Sequence, residues 1–370
     1  MSLDAIQLQR MIGNGEIVEQ RSLGALVLDQ FDLSGGIFAN VIFTGTRLAR
    51  ARLTDCVFNE CVFIDVDFSG ANLSHSVFLK GELVRTSFAG STLDDCRLNG
   101  LRAAATRFSD VRATRAAFLT CELSDCWFDS AQLTRALFDE TSMQGASFTA
   151  TVNRQVLFHR TDLRAVDFAR SHFDNAVFSE SNLAGQVFRG QIFRKCQFIG
   201  ADLRRADFTA AQMPHCNFQA AALEHAVMDE VDAPFANFFG ANAGGLQCRG
   251  ARFARSIWAE ADVNGADFSD TDLAGAVFHG ADASDSRFIH ARLEDADFSS
   301  AQLTGADFTQ ARFERTRFHG ARAALDSDAC EPPWQGRIGV ADADAALCAA
   351  EAWSAQRDAR RTPIEPTEPT

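Results

Sequence analysis

Large apolar residues recur at every fifth position of this chain, from Leu23 to Ala323, without one insertion. Every member of that series is apolar or cysteine except Asn153. A period of five fits neither the 3.6 of an amphipathic helix nor the two of an isolated strand. The residue two places earlier is mostly small. In "ADFSDTDLAGAVFHG" (266–280), Ala266, Thr271 and Ala276 precede Phe268, Leu273 and Phe278. Residues two apart in an extended segment share a face, so each five-residue unit reads as one side of a square. The large and small residues point inward, and the other three face outward and turn the corner, where Gly, Ser, Asp and Asn belong. Four units close a twenty-residue coil. Coils stacked at about 4.8 Å, about 15 of them, give a rod on the order of 70 Å long.

A second period of ten lies on the first. Positions ending in 8 are mostly Phe and those ending in 3 mostly Leu, which puts phenylalanines on two opposite walls. Four per layer would overfill the bore. Of the 33 Phe, only Phe31, Phe235 and Phe239 fall outside the series. Each buried large side chain contributes roughly 1.5–3 kcal/mol, so this column carries the fold. Weak layers are expected at Ala103 with Ala113, at Asn153, and at Ala233, Ala243 and Cys248.

The units resemble those of the pentapeptide-repeat family, with consensus A(D/N)LXX. They include Ala71-Asn72-Leu73, Ala201-Asp202-Leu203, Ala266-Asp267-Phe268 and Ala306-Asp307-Phe308. The resemblance covers residues 21–325 and implies an all-β fold, a right-handed quadrilateral β-helix with four pentapeptides per coil. Members of the family do not share one activity, so the resemblance implies a fold more than a function.

Both ends of such a coil need covers against strand pairing with other chains. Residues 1–20 read as a short N-terminal cap, with Ile6, Leu8, Met11 and Ile12 apolar before a Gly13-Asn14-Gly15 turn. Residues 326–361 read as a C-terminal cap and α-helix, with Trp334 over the last coil and Leu347, Ala350 and Trp353 as an apolar stripe. That helix is a further candidate for partner docking through Leu347 and Trp353. Residues 362–370 are expected to be disordered.

Composition narrows the function. The formal net charge of −14 argues against direct nucleic-acid binding, which relies on Lys and Arg to displace counterions. No signal-like or membrane-spanning apolar run occurs, which predicts a cytoplasmic protein with no membrane partner. Seven of the ten cysteines occupy the small inward positions and read as core filler. No phosphate-cradling glycine loop, GxSxG, HExxH or CxxC is present. Paired acids such as Asp94-Asp95 fall at outward corners. The reading is a non-enzyme with no catalytic, cofactor or metal residues.

With no insertions, residues twenty apart lie on one wall, and each wall can be read down its length. Named by first central residue, the Leu28 wall carries eleven acids and seven bases in its outward positions, and the Leu33 wall ten and twelve. Some relatives in the resembled family mimic duplex DNA and bind topoisomerases. A 70 Å copy of a duplex needs roughly forty negative charges, so a DNA-mimicking modulator of gyrase is the alternative function rather than the first. The Phe38 wall differs from the others. Its outward positions hold Ile37, Val57, Val77, Leu137, Leu157, Val177, Ile257 and Val277, with Leu79, Leu119, Ile199 and Phe239 beside them. A strip of this length exceeds what monomers usually expose. It predicts a scaffold or adaptor that docks a protein partner or a second copy. Long proteins resembling this one occur as accessory components of bacterial secretion systems, and that setting is the expectation here. Gln197, Asn217 and Asn237 should stack as an amide ladder within the strip.

Overall fold

The computed structural model describes residues 4–323. The readings on 326–370, Leu347 and Trp353 among them, lie outside the described residues.

The chain winds as an all-β parallel solenoid. Ile17 pairs in parallel with Ile37, Ile37 with Val57, and the same twenty-residue step recurs as far as Gln302 and Arg322. Regular strands occupy about nine turns, ending at Phe193–Arg194. Beyond them the coils are joined by single parallel bridges such as Asn217 to Asn237 and Val277 to Asp297. The expected count of about 15 uniform coils is thus corrected to a strand-rich first part and a bridged remainder. Side-chain chemistry explains the change. Early outward positions hold Val57, Val62 and Val77, which favour strands. Later ones hold Asp202, Asp262 and Asp282, whose carboxylates accept from the backbone N–H of Arg204, Asn264 and Ser284. That local bond stabilises a turn in competition with the ladder.

The corners explain how a square coil closes. Nearly every residue whose number ends in 0 or 5 has a positive φ, glycine or not, including Arg115 (57°), Arg135 (58°), Ala210 (57°) and Phe235 (60°). In this conformation its amide points along the rod. Arg135 N–H donates to the Arg154 carbonyl at 2.8 Å, and Ala210 N–H to that of Asp229 at 2.8 Å. The inter-coil bond offsets strain that L-residues ordinarily avoid.

Inside, the alternation holds. Phenylalanines twenty apart stack, and those ten apart meet edge to face across the bore. Phe128 lies 4.8 Å from Phe108 and 4.6 Å from Phe148, with Phe118 at 5.7 Å and 81°. Both are preferred aromatic geometries. The small inward positions do more than fill space. Their hydroxyls and thiols donate to the carbonyl of the large residue 23 positions earlier, as Thr46 does to Leu23 (2.9 Å), Ser286 to Val263 (2.8 Å) and Cys56 to Leu33 (3.1 Å). Burial pushes the Cys56 thiol up to about 12 and that of Cys61 up to about 11.

The expected weak layers are mostly repaired. Beside Ala103, the small position holds Leu101, which is buried, so the pair is inverted. Leu246 does the same for Cys248. In the layer of Ala243 and Cys248, the large member is Trp258, stacked 3.9 Å from Phe238 with its indole N–H bonded to Ser256. Asn153 remains a true defect. It is fully buried, its amide donates to Thr151 Oγ1 at 2.8 Å, and its Oδ1 has no partner.

At the N-terminal end, α1 (Ala5–Gly13) closes the first coil. Asp4 accepts from Gln7 N–H and the Gln7 side chain accepts from Asp4 N–H, a capping box. Leu8 and Ile12 are buried, and Ile12 fits against Gly36, where a Cβ would stand 3.3 Å from its Cδ1. Ile6 faces outward and is not part of the cap's apolar face.

Candidate partner-binding wall

The residues that form the candidate wall are fixed by the backbone register. Pairing places Ile17, Ile37, Val57, Val77, Arg97, Ala117, Leu137, Leu157 and Val177 one above another. The column continues through Gln197, Asn217, Asn237, Ile257 and Val277 and ends at Asp297 and Arg317. Ile37, Ile199, Phe239 and Ile257 are exposed. Val57, Val77, Leu79, Leu119, Leu137, Leu157, Val177 and Val277 are half-buried, because each leans on its neighbours in adjacent coils. Arg97 interrupts the strip.

The amide ladder forms within it. Asn217 Nδ2 donates to Gln197 Oε1 at 3.0 Å, and Asn237 Nδ2 to Asn217 Oδ1 at 3.1 Å. The backbone N–H groups of Gln219 and Phe239 donate to the same two asparagine carbonyl oxygens. These acceptors are satisfied within the wall.

Sequence reasoning missed three members. Ile17 extends the column by one coil and is 52% exposed. Ile42, also exposed, widens the strip around the corner onto the Leu23 wall. Phe235 stands at the corner of the same wall as Phe239, and these two are the exposed phenylalanines among the described residues. Their place at outward positions of the five-residue unit was the available signal, whereas Phe31, also outside the series, takes a small inward position and packs against the core.

Elsewhere the surface is mostly charged and largely self-compensating, apart from the exposed Val27, Trp127 and Val187 of the Leu28 wall. Arg115 lies 2.5 Å from Asp95, Arg315 2.7 Å from Asp295, and Arg249 2.7 Å from Asp267. The Arg115 guanidinium holds the Asp95 carboxyl below the usual carboxylate range, and Arg204 does the same for Asp202. Among the described residues no group of three His, Cys, Asp or Glu side chains converges as a metal site would require. A shallow notch of about 450 Å³ lies at Gly81, Gly100 and Leu101, where Val57–Ile64, Val77–Val84 and Arg97–Ala104 run as strands straight through a corner. Its charged rim carries both signs, with Glu60, Lys80, Glu82, Arg102 and Glu122 around it.

This architecture is that of a pentapeptide-repeat scaffold, and the chain belongs to the pentapeptide-repeat family. The family's pentapeptide repeat region model matches residues 32–108 and 251–324, and its model of eight pentapeptide copies matches 157–185, 171–209 and 187–219. Among solved structures, the chain is similar to HetL, a pentapeptide repeat protein involved in heterocyst differentiation regulation from the cyanobacterium Nostoc sp. strain PCC 7120. That match has 17% identity over 85% of this chain and 97% of HetL, with a TM-score of 0.24. It is also similar to a trypsin-treated variant of QnrB1, a plasmid-mediated fluoroquinolone resistance protein. Here identity is 23% over 46% of this chain and 89% of that one, with a TM-score of 0.24. A pentapeptide repeat protein from the Arabidopsis thaliana thylakoid lumen matches at 21% identity over 39% of this chain and 72% of its own, with a TM-score of 0.11. No curated protein matches the sequence.

Proposed function

We propose that the protein is a non-enzymatic scaffold that docks a protein partner on its Phe38 wall. The observation that carries this reading is the column of outward apolar residues from Ile17 to Val177, broken only at Arg97. Leu137, Leu157 and Val177 stand directly above one another on a flat face. Covering such a face stabilises a complex by about 25 cal/mol for each Å² of apolar area removed from water, less the cost of association. A cytoplasmic adaptor, including one serving a secretion system, would use the rod in this way.

Placing Glu at Leu137, Leu157 and Val177 together puts three carboxylates in one column of the wall. The association is expected to be lost while the far-ultraviolet dichroism stays unchanged. A complex of unaltered size on a sizing column would refute the docking wall. The alternative, a DNA-mimicking modulator of a type II topoisomerase, needs columns of uncompensated carboxylates. The pairing of Asp95, Asp267 and Asp295 with arginines weighs against it. A supercoiling assay with gyrase separates the two, because the docking reading expects no effect.

A further inference from the structure

The Phe38 wall is asymmetric between Lys195 and Glu260. One edge carries bulky side chains at successive corners, namely Lys195, His215, Phe235 and Arg255. Phe235 is 47% exposed and yet fixed. Its ring stacks on His215 at 5.0 Å and 8°, and the Arg255 guanidinium lies 5.7 Å over it. A side chain already held on both faces loses little freedom when it is covered. The opposite edge of the same coils is bare, with Gly200, Ala220 and Gly240 leading to Glu260. A Cβ at Gly240 would meet nothing within 4 Å.

We propose that the partner on this wall is a second copy of the chain, lying parallel and side by side about a two-fold axis along the rod. This rests on the docking wall proposed above and names its occupant. Such an axis superposes the bulky edge of each wall on the bare edge of the other at the same height. Phe235 then covers the open backbone at Gly240 of the second copy, and Arg255 meets Glu260. Arg135 and Glu140 repeat the charge pairing further down the same two edges. Among the corner residues one like-charged pair is brought together, Asp55 with Glu60, which has His75 and Lys80 one coil further along. Within the strip, the two copies of Arg97 come to the same height near the axis. Between the edges, the acceptors of the amide ladder are already bonded within their own wall, so covering them strands no carbonyl oxygen. The whole wall measures roughly 60 by 12 Å, on the order of 700 Å² per copy, close to the ~800 Å² of a stable interface.

Sedimentation velocity on the full chain from about 1 to about 100 µM should show a dimer, with its affinity weakened at least about tenfold by Phe235→Ala and by Gly240→Arg. The arginine is sterically acceptable there, because a Cβ at Gly240 meets nothing within 4 Å and Arg160 already occupies the same edge at φ 48°. Arg255→Glu alone should weaken the dimer, and Arg255→Glu with Glu260→Arg should restore it, which an antiparallel pair would not do. A monomer throughout that range overturns the proposal. So does a dimer indifferent to Phe235→Ala and Gly240→Arg. If that dimer is still broken by Glu at Leu137, Leu157 and Val177, the docking wall stands and only this geometry fails.

Discussion

At the scale of single residues, the left-handed corners are the least expected feature of this chain. Glycine supplies a positive φ at no steric cost, yet arginine, alanine and phenylalanine occupy many of these positions. What holds them is the inter-coil bond of the corner amide, which any residue but proline can donate. The strain should therefore be recoverable by substitution. Ala210→Gly, at φ 57° on an exposed corner, is expected to stabilise the protein by up to about 1 kcal/mol. A denaturant midpoint that falls would show the corner to be unstrained. Ionisable residues add a pH dependence. The Asp202 carboxyl, bonded by Arg204, is held below its ordinary value, so its contribution is complete above the unfolded pKa of about 3.9 and is lost as pH falls through the lower folded value. Thermal melts should show Tm dropping between pH 4 and pH 2.5, and dropping less in Asp202→Asn. An equal drop in both would assign the acid sensitivity elsewhere.

At the scale of one coil, volume is conserved between the two inward residues, and much of this is legible in the sequence. The five-residue series named nearly every buried large side chain, because inward alternation leaves no other site for Phe or Leu. Reading each large position alone is what misplaced the weak layers. Ala103 and Cys248 look like cavities until Leu101 and Leu246 are paired with them. The serine, threonine and cysteine bonds to carbonyls 23 residues away were not legible, since they join positions that only the stacked coil brings together. Gly81 tests the pairing rule. A Cβ there would stand 2.5 Å from the Cys61 carbonyl oxygen and 3.4 Å from Leu101 Cδ2. Gly81→Ala should cost about 1–3 kcal/mol by overpacking, read as a lower denaturant midpoint. Gly81→Ala with Leu101→Ala should recover little, because the backbone carbonyl remains in the way.

At the scale of the molecule, the outer walls were only partly readable. Register fixed which residues share a face, so the apolar strip and the amide ladder followed from counting by twenties. The three-dimensional asymmetry of the strip did not. Phe235 belongs to a corner, and its importance depends on His215 and Arg255 one coil to either side and on the emptiness at Gly240 across the wall. Charge shows the same limit. Composition gives a net −14, but the stacking decides that Asp95 and Asp295 spend their charge on arginines one coil away rather than on solvent.

The absence of any insertion between Leu23 and Ala323 makes the rod a ruler with four faces. Adding twenty residues anywhere would lengthen it by about 4.8 Å and leave every face aligned. Adding five would instead rotate everything beyond the insertion by a quarter turn. Phe235 and Ile257 would then face away from Leu137 and Leu157 while each coil stayed as well packed as before. Its surface is therefore addressed by angle as well as by distance, and five-residue steps are the units in which that address can change.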